Sequence, residues 1–228
     1  MSHRRSTPGF GSCTGRGDLT ASFTMIFPLF FAYEVSVLFV GRVNGADVVT
    51  RALYSALGGR TWYLVVHSAM ALAFLLWIRH RGRWHGLRLS IVAPVIAEAA
   101  VYALTLGTVV AILLRHCPGL AIGGNAVVSA FGAGVHEELV FRLGICSALI
   151  AIFRETASRA ATVALAFAIS SLLFAAAHHI GTGGEPLTAH AFAFRTVAGL
   201  VFAAVFWFRS FAHAVYAHTL YDLVVAWS

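Results

Sequence analysis

Three groups of ionisable residues stand inside or at the ends of apolar runs. Glu137, Glu138 and Arg142 lie in VHEELVFRLGICSALIAIF, His178 and His179 close LLFAAAHH, and His218 and Asp222 lie close to the C-terminus. A charge at the centre of a membrane span costs about 2.5 to 3.5 kcal/mol on insertion scales, so such groups need partners or a purpose. Glu138 and Arg142 are four apart with the acid towards the N-terminus, the favourable order for an ion pair on one helical face. Glu137 projects about 100° around the helix from Glu138, so it can face a cavity while the pair holds the helix. His218 and Asp222 repeat the spacing of four and present an imidazole and a carboxyl group together. Phe174 and His178 do the same, with an apolar wall one turn before a histidine.

These residue types suit water activation. A desolvated carboxylate is a general base near neutral pH, and Arg142 can keep its neighbour ionised. Glu137 with His178 would activate water, and His218 would donate to a developing oxyanion. No GxSxG nucleophile elbow is present. Two Glu and two His could instead hold Zn²⁺ with an open position for water, but HExxH is absent, because Val140 stands where His136-Glu137 would need its second His. The expectation is metal-free chemistry with no cofactor.

The elements that must position these groups are set by composition. Of 228 residues, 59% are hydrophobic and 11% charged, and the mean hydropathy is +0.82. That excludes an ordinary soluble domain and describes an all-helical polytopic membrane protein. Expected spans lie near 21–40, 61–78, 91–114, 122–153, 161–180, 190–208 and 210–227, forming one transmembrane domain over 21–228 with the chemistry in 130–226. Residues 1–20 are polar and rich in Gly, Ser and Arg, a pattern of disorder. The apolar run after them exceeds the core of a signal peptide and reads as an uncleaved first span. The stretch NGADVVTRALYSALGG gathers Val48, Val49, Leu53 and Leu57 on one face, as in a short interfacial helix. A helix over 122–153 would be about 48 Å long, so it must bend or break, and Gly123, Gly124, Gly132 and Gly134 offer places.

All 16 basic residues are arginine, and with 9 acidic residues the formal charge is +7. Most arginines fall between apolar runs without an interleaved aromatic face, which speaks for topology and against nucleic acid. With the N-terminus inside, ten arginines lie in cytoplasmic segments and four (Arg42, Arg51, Arg60 and Arg115) outside. Counted from the cytoplasmic ends at 1.5 Å per residue, Glu137 and His178 lie about 26 and 27 Å deep, and His218 and Asp222 about 14 and 20 Å. A shared cavity would then sit towards the outer face, with Arg195 beside it as a supporting charge. Glu34, Glu98, His190 and His213 are structural by default. Cys13, Cys117 and Cys146 are widely spaced and form no CxxC, so they indicate neither a disulfide framework nor a thiolate site.

Taken in order, Glu137-Glu138-x-x-x-Arg142, Phe174-x-x-x-His178 and His218-x-x-x-Asp222 resemble the CAAX protease and bacteriocin-processing family of intramembrane proteases. The resemblance covers residues 130–226 and implies a helical glutamate-dependent endopeptidase acting on a membrane-anchored protein or peptide. It implies that Glu137 and His178 activate water, that His218 and Asp222 form or orient the oxyanion site, and that Glu138, Arg142 and Arg195 support them. Many members have Asn where this chain has Asp222, and an ionised Asp would repel an oxyanion. Asp222 is therefore protonated, orients His218, or marks altered activity. The outward bias and the all-arginine composition look more like the bacterial sorting branch, which implies a bacterial cytoplasmic membrane.

Two other classes stay open: a proton-coupled transporter using the Glu/His/Arg cluster, and a non-catalytic membrane scaffold or immunity protein. Nothing in the chain indicates its oligomeric state. The topology has a direct test. Reporter fusions at residues 85 and 185 are expected to give cytoplasmic and extracytoplasmic signals respectively, and cytoplasmic signal from both would refute the N-in arrangement.

Overall fold

The computed structural model describes residues 18–40, 52, 55–114, 126–155, 158–180 and 185–227. Every regular element among them is helical. Helices α1 (Leu19–Val40), α2 (Arg60–His80) and α3 (Leu89–Leu114) come first, with a 3₁₀ turn at Trp84–Leu87 before α3. A broken helix follows: α4 (Ala126–Gly132), π-helical segments Ala133–Glu137 and Leu139–Cys146, then α5 (Ser147–Phe153). The chain ends with α6 (Arg159–Ala177), α7 (Ala189–Phe208) and α8 (Phe211–Trp227).

All seven expected apolar regions are thus helical. Five of them, α1, α2, α3, α6 and α7, are long and apolar enough to cross a membrane. The other two are the broken helix and the 17-residue α8, and both carry the candidate chemistry. The expected interfacial helix falls largely outside the described residues, as do residues 1–17.

Local side chains explain where several elements begin. Ser158 Oγ accepts from the Ala161 N–H at 3.3 Å and starts α6 two residues before the apolar run. Thr188 Oγ1 does the same for α7, from Ala191 N–H at 3.1 Å. These are N-caps, in which a hydroxyl satisfies a donor that the first helical turn leaves orphaned. At the start of α1, Asp18 Oδ1 accepts from Ala21 N–H at 3.2 Å, and the same carboxylate pairs with Arg83. Burial opposes the charge on Asp18, but Arg83 and the backbone donors outweigh it and hold the carboxyl below its ordinary range. The pair puts the start of α1 and the end of α2 at one end of the bundle. Both groups are well exposed, so it contributes at most about 1 kcal/mol.

The core is organised around α8. Residues 211–219 are all buried, which is what a helix apolar on every face requires. α8 packs against α1, α3, α7 and the broken helix, and its Ala212, Ala214 and Ala217 are 0–1% exposed. Lipid is as apolar as a leucine side chain, so close packing of small residues drives such helices together. Tyr216 adds a hydrogen bond from its hydroxyl to the Met25 carbonyl on α1 at 2.8 Å.

Two glycines are required by close approach. A Cβ on Gly134 would lie 2.0 Å from Thr219 Oγ1 and 3.0 Å from the Thr219 backbone N, so the first π-helical segment lies directly against α8. A Cβ on Gly199 would lie 2.9 Å from Ser171 Cβ and 3.0 Å from its Cα, which sets the α6–α7 spacing. Gly107, by contrast, has open space around it. Gly134→Ala is therefore expected to destabilise the protein by about 1 to 3 kcal/mol through overpacking, whereas Gly107→Ala should not. Thermal midpoints in detergent check this, and equal midpoints for the two variants would sink it.

Candidate active site

Glu138 is 0% exposed and Arg142 1%. Arg142 Nε lies 3.2 Å from Glu138 Oε2, as the spacing of four anticipates. The guanidinium also donates from Nη2 to the Gly199 carbonyl on α7 at 3.2 Å. Its Cζ stands 4.4 Å from the ring centre of Phe174 and 5.5 Å from that of Phe202, so aromatic faces cover the cation where water cannot. The broken helix is thereby fastened to α6 and α7.

His218 on α8 joins both glutamates. Its Nδ1 donates to Glu138 Oε1 at 2.8 Å, an assignment made from the partner. Nε2 then faces Glu137 Oε2 at 3.9 Å and Asp222 Oδ2 at 3.6 Å. Phe202 stacks on the imidazole at 4.5 Å with planes 15° apart and fixes its orientation. The two successive carboxylates are thus met by the two nitrogens of one ring.

His178 lies just past the end of α6, not within it as the apolar run suggested. Its Nδ1 donates to the Phe174 carbonyl at 2.8 Å, which leaves Nε2 to face Glu137 Oε2 at 3.5 Å. The side chains of Glu137, His178 and Asp222 are 12%, 17% and 25% exposed. The structure therefore brings Glu137, Glu138, Arg142, His178, His218 and Asp222 into one cluster that opens at its Asp222 and His178 side. Arg195, on α7, is held by Glu185 in a two-point ion pair. Among the described residues, no three His, Cys, Asp or Glu side chains are arranged to hold a metal ion.

Several participants are not legible from spacing. Glu185 stands in a polar stretch where a carboxylate reads as solvated, and only an unmatched Arg195 hints at it. Burial opposes the charge of Glu185, but the hydrogen bond and charge of Arg195 outweigh it, so its carboxyl sits below the ordinary range. A depressed carboxyl contributes stability above its unfolded value, and that contribution is lost as pH falls through the folded value. The Arg195 pair therefore persists throughout the neutral range. Gly199 contributes only a carbonyl, which no residue type announces.

Two glutamates without sequence partners acquire them in space. Glu34 on α1 accepts from the Tyr63 hydroxyl and lies 3.3 Å from His67 Nε2 and 3.9 Å from His136 Nε2. This group borders a cavity of about 300 Å³ walled by Phe27, Phe30 and Phe74, and Glu137 is not part of its lining. Glu98 on α3 binds Arg209, whose Nη2 donates at 2.6 Å, and lies 3.5 Å from His213 Nε2. That contact ties the α7–α8 turn to α3.

Helices of membrane-crossing length around a buried cluster of ionisable groups define an integral membrane protein. Residues 121–224 match the family model of Rce1-like type II CAAX prenyl endopeptidases. All three motifs fall within the matched range, which bears out the resemblance to the CAAX proteases. The match supports an intramembrane protease at the family level, with a protein substrate in the membrane. No curated protein and no solved structure matches the chain.

Arg142→Met leaves Glu138 with His218 alone and is expected to cost about 3 kcal/mol or more. The double variant Glu138→Gln with Arg142→Met should recover much of that. Detergent melting curves of the three proteins decide it, and a single variant as stable as the parent would remove the pair from its supporting role.

Proposed function

We propose that the chain is a glutamic-type endopeptidase that hydrolyses a membrane-anchored protein or peptide with water activated by Glu137 and His178. The observation that carries this reading is the 3.5 Å separation of Glu137 Oε2 and His178 Nε2. Both are basic atoms, aimed at one spot and near enough for a single water to contact both. The His178 Nδ1–H is committed to the Phe174 carbonyl, so Nε2 offers its lone pair.

In the reaction, the water oxygen attacks the scissile carbonyl carbon while its proton passes to the Glu137–His178 pair. The carbonyl oxygen takes up negative charge, and His218, carried as the imidazolium with its Nδ1–H on Glu138, donates its Nε2–H to it. Glu138 holds the other face of that imidazole at Nδ1, so the ring cannot turn its donor away. The C–N bond then breaks as the stored proton passes to the leaving nitrogen. Asp222, 3.6 Å from His218 Nε2, orients the imidazole at the mouth of the site. Burial keeps bulk water from competing for these contacts.

Protein termini compared by mass spectrometry, in membranes of cells carrying the native chain or Glu137→Gln at matched levels, test the reading. Specific termini are expected to vanish in the variant while uncleaved precursors accumulate, which names the substrate. Identical profiles from a native chain that functions in those cells would refute catalysis by Glu137 and favour a scaffold or transporter.

A further inference from the structure

His178 occupies an exposed kind of position for a residue of this importance. α6 ends at Ala177, and His178 is its C-terminal cap, so no further helical turn holds it. Beyond its bonds to Phe174 and Ala175 on α6, the contacts that tie it to the rest of the bundle come through Glu185. The Glu185 N–H donates to the His178 carbonyl at 2.8 Å, and the Glu185 carbonyl accepts from His179 Nδ1 at 2.9 Å. The Glu185 carboxylate takes two hydrogen bonds from Arg195 on α7. Arg195 is only 15% exposed and has Asp222 and Glu137 as further electrostatic neighbours.

We propose that Glu185 is a positioning residue of the active site. It locks the turn bearing His178 onto α7 and matches the charge of Arg195 so that Arg195 does not draw off Glu137. The inference rests on the protease reading. A misplacement of about 1 Å at a catalytic pair is enough to cost roughly a hundredfold in rate, and a two-point guanidinium–carboxylate contact is the firmest polar tether available to a turn. The charge argument is equally local. Around the gap stand Glu137 from the broken helix, His178 and His179 from the end of α6, Arg195 from α7, and His218 and Asp222 from α8, with Glu138 and Arg142 paired behind them. Removing the Glu185 charge leaves Arg195 unmatched among these groups.

The test uses the full-length protein in phospholipid vesicles, cleaving the precursor that the termini comparison names. Glu185→Gln is expected to lower kcat roughly ten- to hundredfold with KM changed less than about threefold. The acid limb of its pH–rate profile should move to lower pH, because an unmatched cation opposes proton uptake. Glu185→Asp keeps the charge, so its limb should stay at the parental pH even where kcat falls. The double variant Glu185→Gln with Arg195→Met should return the limb to the parental pH without restoring kcat. A Glu185→Gln protein with parental kcat and profile overturns the proposal, as does one whose kcat falls with no movement of the acid limb, since that is loss of structure alone. If Glu185→Gln does not accumulate, Glu185→Asp and the double variant decide, and matching limbs with parental kcat in both overturn it. Cleavage that does not differ between the parent and Glu137→Gln overturns the protease reading and this proposal with it, whereas a difference there with parental behaviour in Glu185→Gln overturns this proposal alone.

Discussion

Glu138 is wholly buried in a stretch of chain surrounded by apolar helices, and an ionised carboxylate taken out of water there costs several kcal/mol unless donors meet it. Two residues meet it, Arg142 from its own helix and His218 from α8. Each is in turn fixed by something else: Arg142 by the Gly199 carbonyl and two aromatic faces, His218 by the stacked ring of Phe202. Satisfying one buried charge thus draws the broken helix, α6, α7 and α8 into a single arrangement. The geometry proposed for catalysis follows from that arrangement, since it places Glu137 between His178 and His218.

The backbone is shaped to permit this. A regular α-helix places successive side chains on different faces, yet Glu137 and Glu138 both reach the ring of His218. The helix is wound more widely in this region, in π-helical segments on either side of Glu138, a local geometry often found at functional sites. Gly134 lets that widened segment lie against Thr219, and Gly199 lets α7 approach Ser171 closely while presenting its carbonyl to Arg142. Small residues therefore do two jobs here, bringing helices together where lipid offers no hydrophobic drive and admitting polar groups to one another.

The remaining polar clusters act as ties elsewhere in the bundle. Glu98 fastens the α7–α8 turn to α3 through Arg209 and His213, and Glu34 gathers Tyr63, His67 and His136 where α1, α2 and the broken helix meet. In each case an ionisable side chain in an apolar run is matched by groups far away in sequence. For Glu34, which is 2% exposed, leaving the charge without donors would cost more than ordering the partners.

Much of the fold was legible from residue types alone. Apolar runs of membrane length and arginines between them marked seven helical regions, since lipid tolerates only backbones whose hydrogen bonds close internally. The spacing of four found the Glu138–Arg142 contact and put Phe174 beside His178, because residues one turn apart share a helical face. Contacts across helices carry no such spacing. That His218 would bridge Glu137 and Glu138, that Gly199 would supply an acceptor and Phe202 a stacking face, and that Glu185 would return to His178 and Arg195 were decided by tertiary packing. So was the end of α6 at Ala177, three residues short of the span expected to 180. Sequence by itself determined which groups would need partners, because the cost of burying them depends only on their chemistry. Which partners they received depended on helix rotation and approach, which only the packed bundle sets.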